Sequence, residues 1–123
     1  MNRAYIAGPM TGKPDFNYPE FDEAEWFLHQ QGYYVDNPAK HFDGDQSRTY
    51  VEYMRAAVES LLDADVVAVL PDWEMGVGSR FEVAVAIALG LPVARLWSGS
   101  LLHPGYSPGS DAQRRNLLAK HLT

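Results

Sequence analysis

The sequence predicts an α/β domain built on a parallel sheet with helices on both faces. Three observations carry this. Short apolar runs recur at residues 3–7, 65–70 and 92–97. Segments with helical spacing alternate with them, and glycine or a capping residue punctuates each segment. Crossovers between parallel strands are right-handed, and ligands bind outside the carboxyl ends of the strands.

The first strand is expected over residues 3–7, closed by Gly8-Pro9, and residues 8–14 form a glycine- and proline-containing loop. Residues 18–31 have helical spacing, with Phe21, Ala24, Trp26, Phe27 and Leu28 as the apolar stripe and Gly32 as the stop. A short second strand is expected over 33–35, followed by a polar loop over 36–48. Ser47 or Thr49 caps a second helix over 50–62, with Tyr53, Met54, Ala57, Val58 and Leu61 inward. The third strand covers 65–70, a loop covers 71–78, and a third helix covers 79–89 with Gly90 after it. The fourth strand covers 92–97. Three loops, 8–18, 36–49 and 71–79, then meet at one edge of the sheet. Residues 98–110 are rich in Gly, Ser and Pro, and Ser110 or Asp111 caps a last helix over 112–122. The expected organisation is one domain over 1–97 followed by a tail over 98–123.

With a net charge of −6, a broad surface tracking a nucleic-acid polymer is not expected, whereas backbone amides can still hold a small anion. The absence of cysteine excludes disulfides, thiolate catalysis and cysteine-ligated zinc. No apolar run approaches 18 residues and no leader is evident, so no membrane partner and a cytoplasmic location are expected.

The chemistry centres on Glu82. It follows Gly76-Val77-Gly78-Ser79-Arg80-Phe81, and residues 83–94 carry no ionisable side chain. Burying an unpaired carboxylate costs several kcal/mol or shifts its pKa. A helix N-terminus at this point is expected to hold Glu82 ionised, as a nucleophile or base. The plain alternative is a carboxylate that caps the helix.

Other motifs are weaker. Gly8-Pro9-Met10-Thr11-Gly12-Lys13 has three residues between its glycines, and Pro14 follows the lysine, so it is not a nucleotide-triphosphate loop. Phe16, Tyr18 and Trp73 are loop aromatics on which a flat base could stack, or ordinary packing. Asn37 is a turn residue by default and a donor to a sugar or base otherwise. Asp43-Gly44-Asp45 lacks the remaining ligands of a calcium loop. His29, His41, His103 and His121 have no metal-ligand spacing and are expected at the surface, so no metal is expected.

Taken together, Tyr5-Ile6-Ala7-Gly8-Pro9-Met10-Thr11-Gly12, Phe16-Asn17, Asn37-Pro38-Ala39, the run from Asp65 to Leu70-Pro71-Asp72-Trp73-Glu74, and Gly78, Glu82, Ala86 and Leu89-Gly90 resemble the nucleoside 2-deoxyribosyltransferase superfamily. The resemblance covers about residues 3–97 and is nearest to a small branch found in phages and bacteria, related to 2′-deoxynucleoside 5′-phosphate N-hydrolases. It implies a flavodoxin-like, Rossmann-like three-layer sandwich with a sheet of four or five strands. It also implies cofactor-free cleavage or transfer of the N-glycosidic bond of a nucleoside or nucleoside 5′-monophosphate. Glu82 falls on the nucleophilic glutamate of that superfamily. Tyr5, Gly8, Pro9, Met10, Phe16 and Asn17 are expected to contact substrate, as are Asn37, Asp72, Trp73, Gly76, Gly78 and Ser79. A homo-oligomer, dimer or higher, is implied, and the apolar content of residues 50–62 suits an interface.

Two positions depart from the pattern. The aspartate that assists the leaving base is replaced by Ala57, and a phosphate-binding serine by Gly76. Asp63, Asp65, Asp72 and Glu74 are the candidates to supply the missing acid. The loss of that aspartate also motivates an alternative, a non-catalytic protein that binds or sequesters a nucleotide. A purely structural or interaction role is the third expectation.

Overall fold

The computed structural model describes residues 2–96. The expected tail and its helix over 112–122, and Trp97 at the end of the expected fourth strand, lie outside the described residues.

Four strands, β1 (Arg3–Ala7), β2 (Tyr34–Asp36), β3 (Val66–Val69) and β4 (Val93–Arg95), form one parallel sheet in the order β2-β1-β3-β4. Helix α1 (Tyr18–Gln30) joins β1 to β2, α2 (Tyr50–Asp63) joins β2 to β3, and α3 (Val77–Ala88) joins β3 to β4. The direction of travel reverses between the first crossover and the next two. Right-handed crossovers therefore put α1 on one face and α2 with α3 on the other. Two apolar layers record this. Ala4, Ile6, Ala68 and Leu70 pack with Phe21, Ala24 and Leu28, while Tyr5, Ala7, Val67 and Val69 pack with Ala57, Leu61, Val83, Ala86 and Ile87. The result is the expected three-layer, flavodoxin-like α/β sandwich, with four strands among the described residues.

Local chemistry explains the boundaries. Thr49 and Glu52 form a reciprocal capping box at the start of α2. At the end of α1, Gly32 takes φ +90° and Tyr33 donates its N–H to the Leu28 carbonyl at 3.1 Å. Tyr33 is thereby used by the helix end, and β2 begins at Tyr34, one residue later than the alternation suggests. That shift brings Asp36 into β2, directly opposite Tyr5 of β1. Helix α3 begins at Val77, two residues earlier than expected, because extended Gly76 takes the cap position.

The apolar stripe of α1 is corrected in one place. Trp26 is 64% exposed. At 100° per residue it falls on the side opposite Phe21, Ala24 and Leu28, which are buried. Glycine is needed at one tight approach. A Cβ on Gly8 would lie 2.8 Å from Leu70, so the end of β1 meets the end of β3 only without a side chain.

Candidate active site

The switch in strand order falls between β1 and β3, and a cavity of about 470 Å³ opens at the carboxyl edge there. All three expected loops contribute to it: Gly8 to Thr11 and Phe16 from the first, Pro38, His41 and Gln46 from the second, and Met75 to Gly78 from the third. The early turns of α2 add Tyr50, Tyr53, Met54 and Ala57.

Tyr5 and Glu82 sit together in this cavity. The Tyr5 hydroxyl donates to Oε2 of Glu82, and both side chains are buried. Glu82 is the sixth residue of α3, on the helix face turned toward the sheet. The field of a helix N-terminus fades beyond the first turn, so it does not hold this carboxylate ionised. Burial instead pushes the Glu82 carboxyl up to about 8, opposed by the hydrogen bond from Tyr5. The expectation of a carboxylate held ionised by the helix end is corrected accordingly. Tyr5 in turn is pushed well above its ordinary value, first by burial and then by the neighbouring Glu82.

A second carboxylate stands one strand away. Asp36 of β2 is the register partner of Tyr5, so the two side chains leave the same face of the sheet. Its Oδ1 lies 3.0 Å from Nε2 of His41, and Oγ of Ser60 lies 3.4 Å from the same nitrogen. The His41 bond, aided by Ser60, holds Asp36 below the usual carboxylate range against the opposing effect of burial. His41 is therefore not a surface residue. Its side chain is 15% exposed and lines the cavity. By contrast, His29 stays half-exposed on α1.

Aromatic and thioether groups make up much of the remaining wall. Phe16 and Tyr18 pack with ring centroids 6.1 Å apart, and Tyr50, Tyr53, Met10, Met54 and Met75 face them. The second loop is braced from behind. Phe42 meets Tyr53 edge-on at 5.6 Å, Arg48 lies over Phe42 at 4.8 Å, and the Tyr53 hydroxyl donates to the Asp45 carbonyl. Left-handed backbone at Asp15, Phe16 and Asn17, and again at Phe42 and Asp43, shapes the two loops.

Of the residues expected to contact substrate, Tyr5, Gly8, Pro9, Met10, Phe16, Gly76, Gly78, Ser79 and Glu82 line the cavity. Four expected contacts lie elsewhere. Asn17 donates to the Pro9 carbonyl at 2.9 Å and holds the first loop. Asn37 is buried, with its amide between Asp22 and Glu25 and its carbonyl accepting from Ala39 N–H, so its polar atoms are occupied in a turn. Asp72 pairs with Lys13 at 3.1 Å, and Asp72 and Trp73 line a separate hollow of about 290 Å³ at the β3 and β4 ends. Ser79, though at the cavity, donates its hydroxyl to the Trp73 carbonyl at 2.5 Å and lies within 3.2 Å of the Gly76 carbonyl, which ties it to the helix start. A Cβ at Gly76 would come within 2.6 Å of Ser79 Oγ and 3.1 Å of Pro9 Cα, so a serine there would require the Ser79 hydroxyl and the Pro9 loop to shift.

Ala57 lies in the cavity wall. Asp63, Asp65, Asp72 and Glu74 do not line it, so none of the expected substitutes reaches the site of the missing acid. Thr11, His41, Gln46, Tyr50 and Tyr53 are polar lining residues that sequence reasoning did not select. Tyr53 and Tyr50 stand one and two turns of helix from Ala57, a signal that was present in the sequence. His41 had none.

Fold and site together define a class: a parallel α/β protein with a buried tyrosine–carboxyl pair at the strand switch and an aromatic cavity above it. The family model described as Domain of unknown function (DUF4406) matches residues 2–95, and the chain belongs to that family. No curated protein matches the chain. Among the described residues, no helix is long and apolar enough to cross a membrane.

Proposed function

We propose that the protein cleaves, or exchanges, the N-glycosidic bond of a nucleoside or nucleoside 5′-monophosphate, with Glu82 as the nucleophile. The observation that supports this is a buried carboxyl, hydrogen-bonded to Tyr5, facing an aromatic cavity of about 470 Å³ at the carboxyl edge of the sheet. A Glu82 oxygen attacks the anomeric carbon, and the ester so formed is opened by water or by a second base. With a value of about 8, Glu82 is mostly protonated at pH 7, and its ionised form is the minor one. Positive charge that develops on the sugar favours that ionised form, so the carboxylate is strongest where the transition state needs it.

No lysine or arginine is among the described cavity-lining residues. This favours the free nucleoside over its phosphate as substrate. The α3 N-terminus, with Gly76 to Ser79, is the place where backbone amides could receive an anion. The exposed apolar side chains of Tyr50, Val51, Met75 and Val77 support a homo-oligomer that meets near the cavity mouth.

Ribo- and deoxyribonucleosides and their 5′-monophosphates, with and without an acceptor base, are incubated with the native protein and with Glu82→Gln, and products are separated by chromatography. Free or exchanged base with the native protein alone is the expected result. Equal base release by Glu82→Gln would sink the assignment.

A second reading has its own observation. Ala57 puts a methyl group in the wall where an acid would stand, and burial keeps Glu82 largely protonated at neutral pH. Both suit a protein that binds a nucleotide without turnover. Ligand-induced thermal stabilisation with no product would favour it.

A further inference from the structure

Breaking a C1′–N bond sends its electron pair to the base, and the base departs readily only if it takes up a proton. Among the cavity-lining side chains the groups that titrate are Glu82, Tyr5, Tyr18, Tyr50, Tyr53 and His41. Glu82 is committed to the sugar. Phenols as a class release protons only near pH 10, which makes them poor acids at neutral pH. His41 remains.

Its surroundings are those of a held acid–base group. The chain leaves helical geometry at His41 (φ −61°, ψ 142°) and turns through left-handed Phe42 and Asp43, which sets the imidazole beneath the second loop and beside β2. Asp36 from β2 and Ser60 from α2 both meet Nε2. An ionised carboxylate on Nε2 keeps a proton on that nitrogen and fixes the orientation of the ring. Nδ1 has no hydrogen bond among the described residues and is the nitrogen left for a ligand. His41 and Glu82 both line the cavity, and Asp36, the register partner of Tyr5, ties the imidazole to the strand beside the Tyr5–Glu82 pair.

We propose that His41 is the catalytic acid that protonates the leaving base, with Asp36 and Ser60 as its positioning residues. This rests on the glycosidic reading of the same cavity. In the first step a Glu82 oxygen bonds to C1′ and the C1′–N bond breaks. The electron pair and the Nδ1 proton of the imidazolium both pass to the base. In the second step water attacks C1′, its proton returns to Nδ1, and Glu82 leaves as a carboxylate. In exchange, the incoming base takes the place of water and surrenders its own proton to Nδ1.

The test compares two leaving groups on one sugar. One substrate is the nucleoside; the other is the 4-nitrophenyl glycoside of the same sugar, whose phenolate departs without a proton. His41→Asn is expected to lose about 10²–10⁴-fold on the nucleoside and less than about tenfold on the nitrophenyl glycoside. Glu82→Gln is expected to lose both. Equal losses of His41→Asn on the two substrates, or no loss on the nucleoside, would overturn the role of His41 while leaving Glu82 in place. A native protein inactive on both would overturn the glycosidic reading itself. Should His41→Asn fail to fold by circular dichroism, Asp36→Asn keeps the imidazole and decides by the same ratio: a selective loss on the nucleoside supports the acid, an equal loss overturns it.

Discussion

The two carboxylates that flank Tyr5 have opposite fates. Asp36 and Glu82 both stand at the carboxyl edge of the sheet, on either side of Tyr5. Asp36 is half-buried and meets a histidine and a serine hydroxyl, and these donors hold it below its ordinary value. Glu82 is buried, meets one phenol, and is pushed up to about 8. The lesson is that donor count against depth of burial, rather than the presence of a carboxylate at a strand edge, decides its charge. Asp36 stays negative and orients an imidazole. Glu82 stays mostly neutral until something positive arrives, which suits a nucleophile that must not be spent on solvation.

The largest break in this comparison is Glu82→Gln. It keeps the size and the acceptor for Tyr5 but removes the proposed nucleophile, and turnover is expected to fall by at least about 10³-fold, the scale on which loss of a nucleophile acts. Steady-state base release measures it. A loss of tenfold or less would mean the carboxyl is structural.

The same substitution has a pH signature in stability. The folded protein binds the Glu82 proton more tightly than the unfolded chain, so native stability falls as pH rises from about 4.5 to about 8. Glu82→Gln removes that fall. The variant should match the native protein near pH 4.5 and melt higher above pH 8, by on the order of a few kcal/mol. Asp36 carries the opposite sign. Its contribution is present above 3.8 and is lost below it, so Asp36→Asn should approach the native protein near pH 3 and melt lower than it from about pH 4 upward. Thermal melts from pH 3 to pH 9 separate the two; a native protein whose melting point does not fall between pH 5 and pH 8.5 would contradict the raised value of Glu82.

Much of the frame was legible in the sequence, and the site only in part. Apolar runs at β1 and β3, glycines at helix ends and the Thr49 cap locate the elements because each is a local signal. Glu82 was legible as the one charge in a long apolar stretch. Its protonation was not, because that depends on α3 starting at Val77 rather than Ser79, which moves the carboxyl past the first turn. Asn37 and Asn17 carry the composition of a binding residue, yet their polar atoms close turns. His41 was illegible for a different reason. Asp36 and Ser60 are five and nineteen residues away, and the kink that joins them uses left-handed Phe42 and Asp43, side chains that do not advertise such a turn as glycine does. A contact assembled by an irregular loop leaves no period to read.

The finest test of the contrast is Tyr5→Phe, which leaves both carboxyl groups in the protein. The Tyr5 hydroxyl is the group that pulls Glu82 down against burial. Removing it leaves the ring in the core and takes away one donor to a charged acceptor, a change of about 1 kcal/mol or somewhat more. Glu82 should therefore rise by about one unit above its value of about 8. Asp36, held by His41 and Ser60 instead, should not move. Carboxyl carbon shifts followed through a titration report both groups at once. If Glu82 falls or stays in place while Asp36 moves, the hydrogen bond is not what separates the two carboxyls. If Glu82 alone rises, donors and burial are shown to act independently on two carboxyls that share one tyrosine as neighbour.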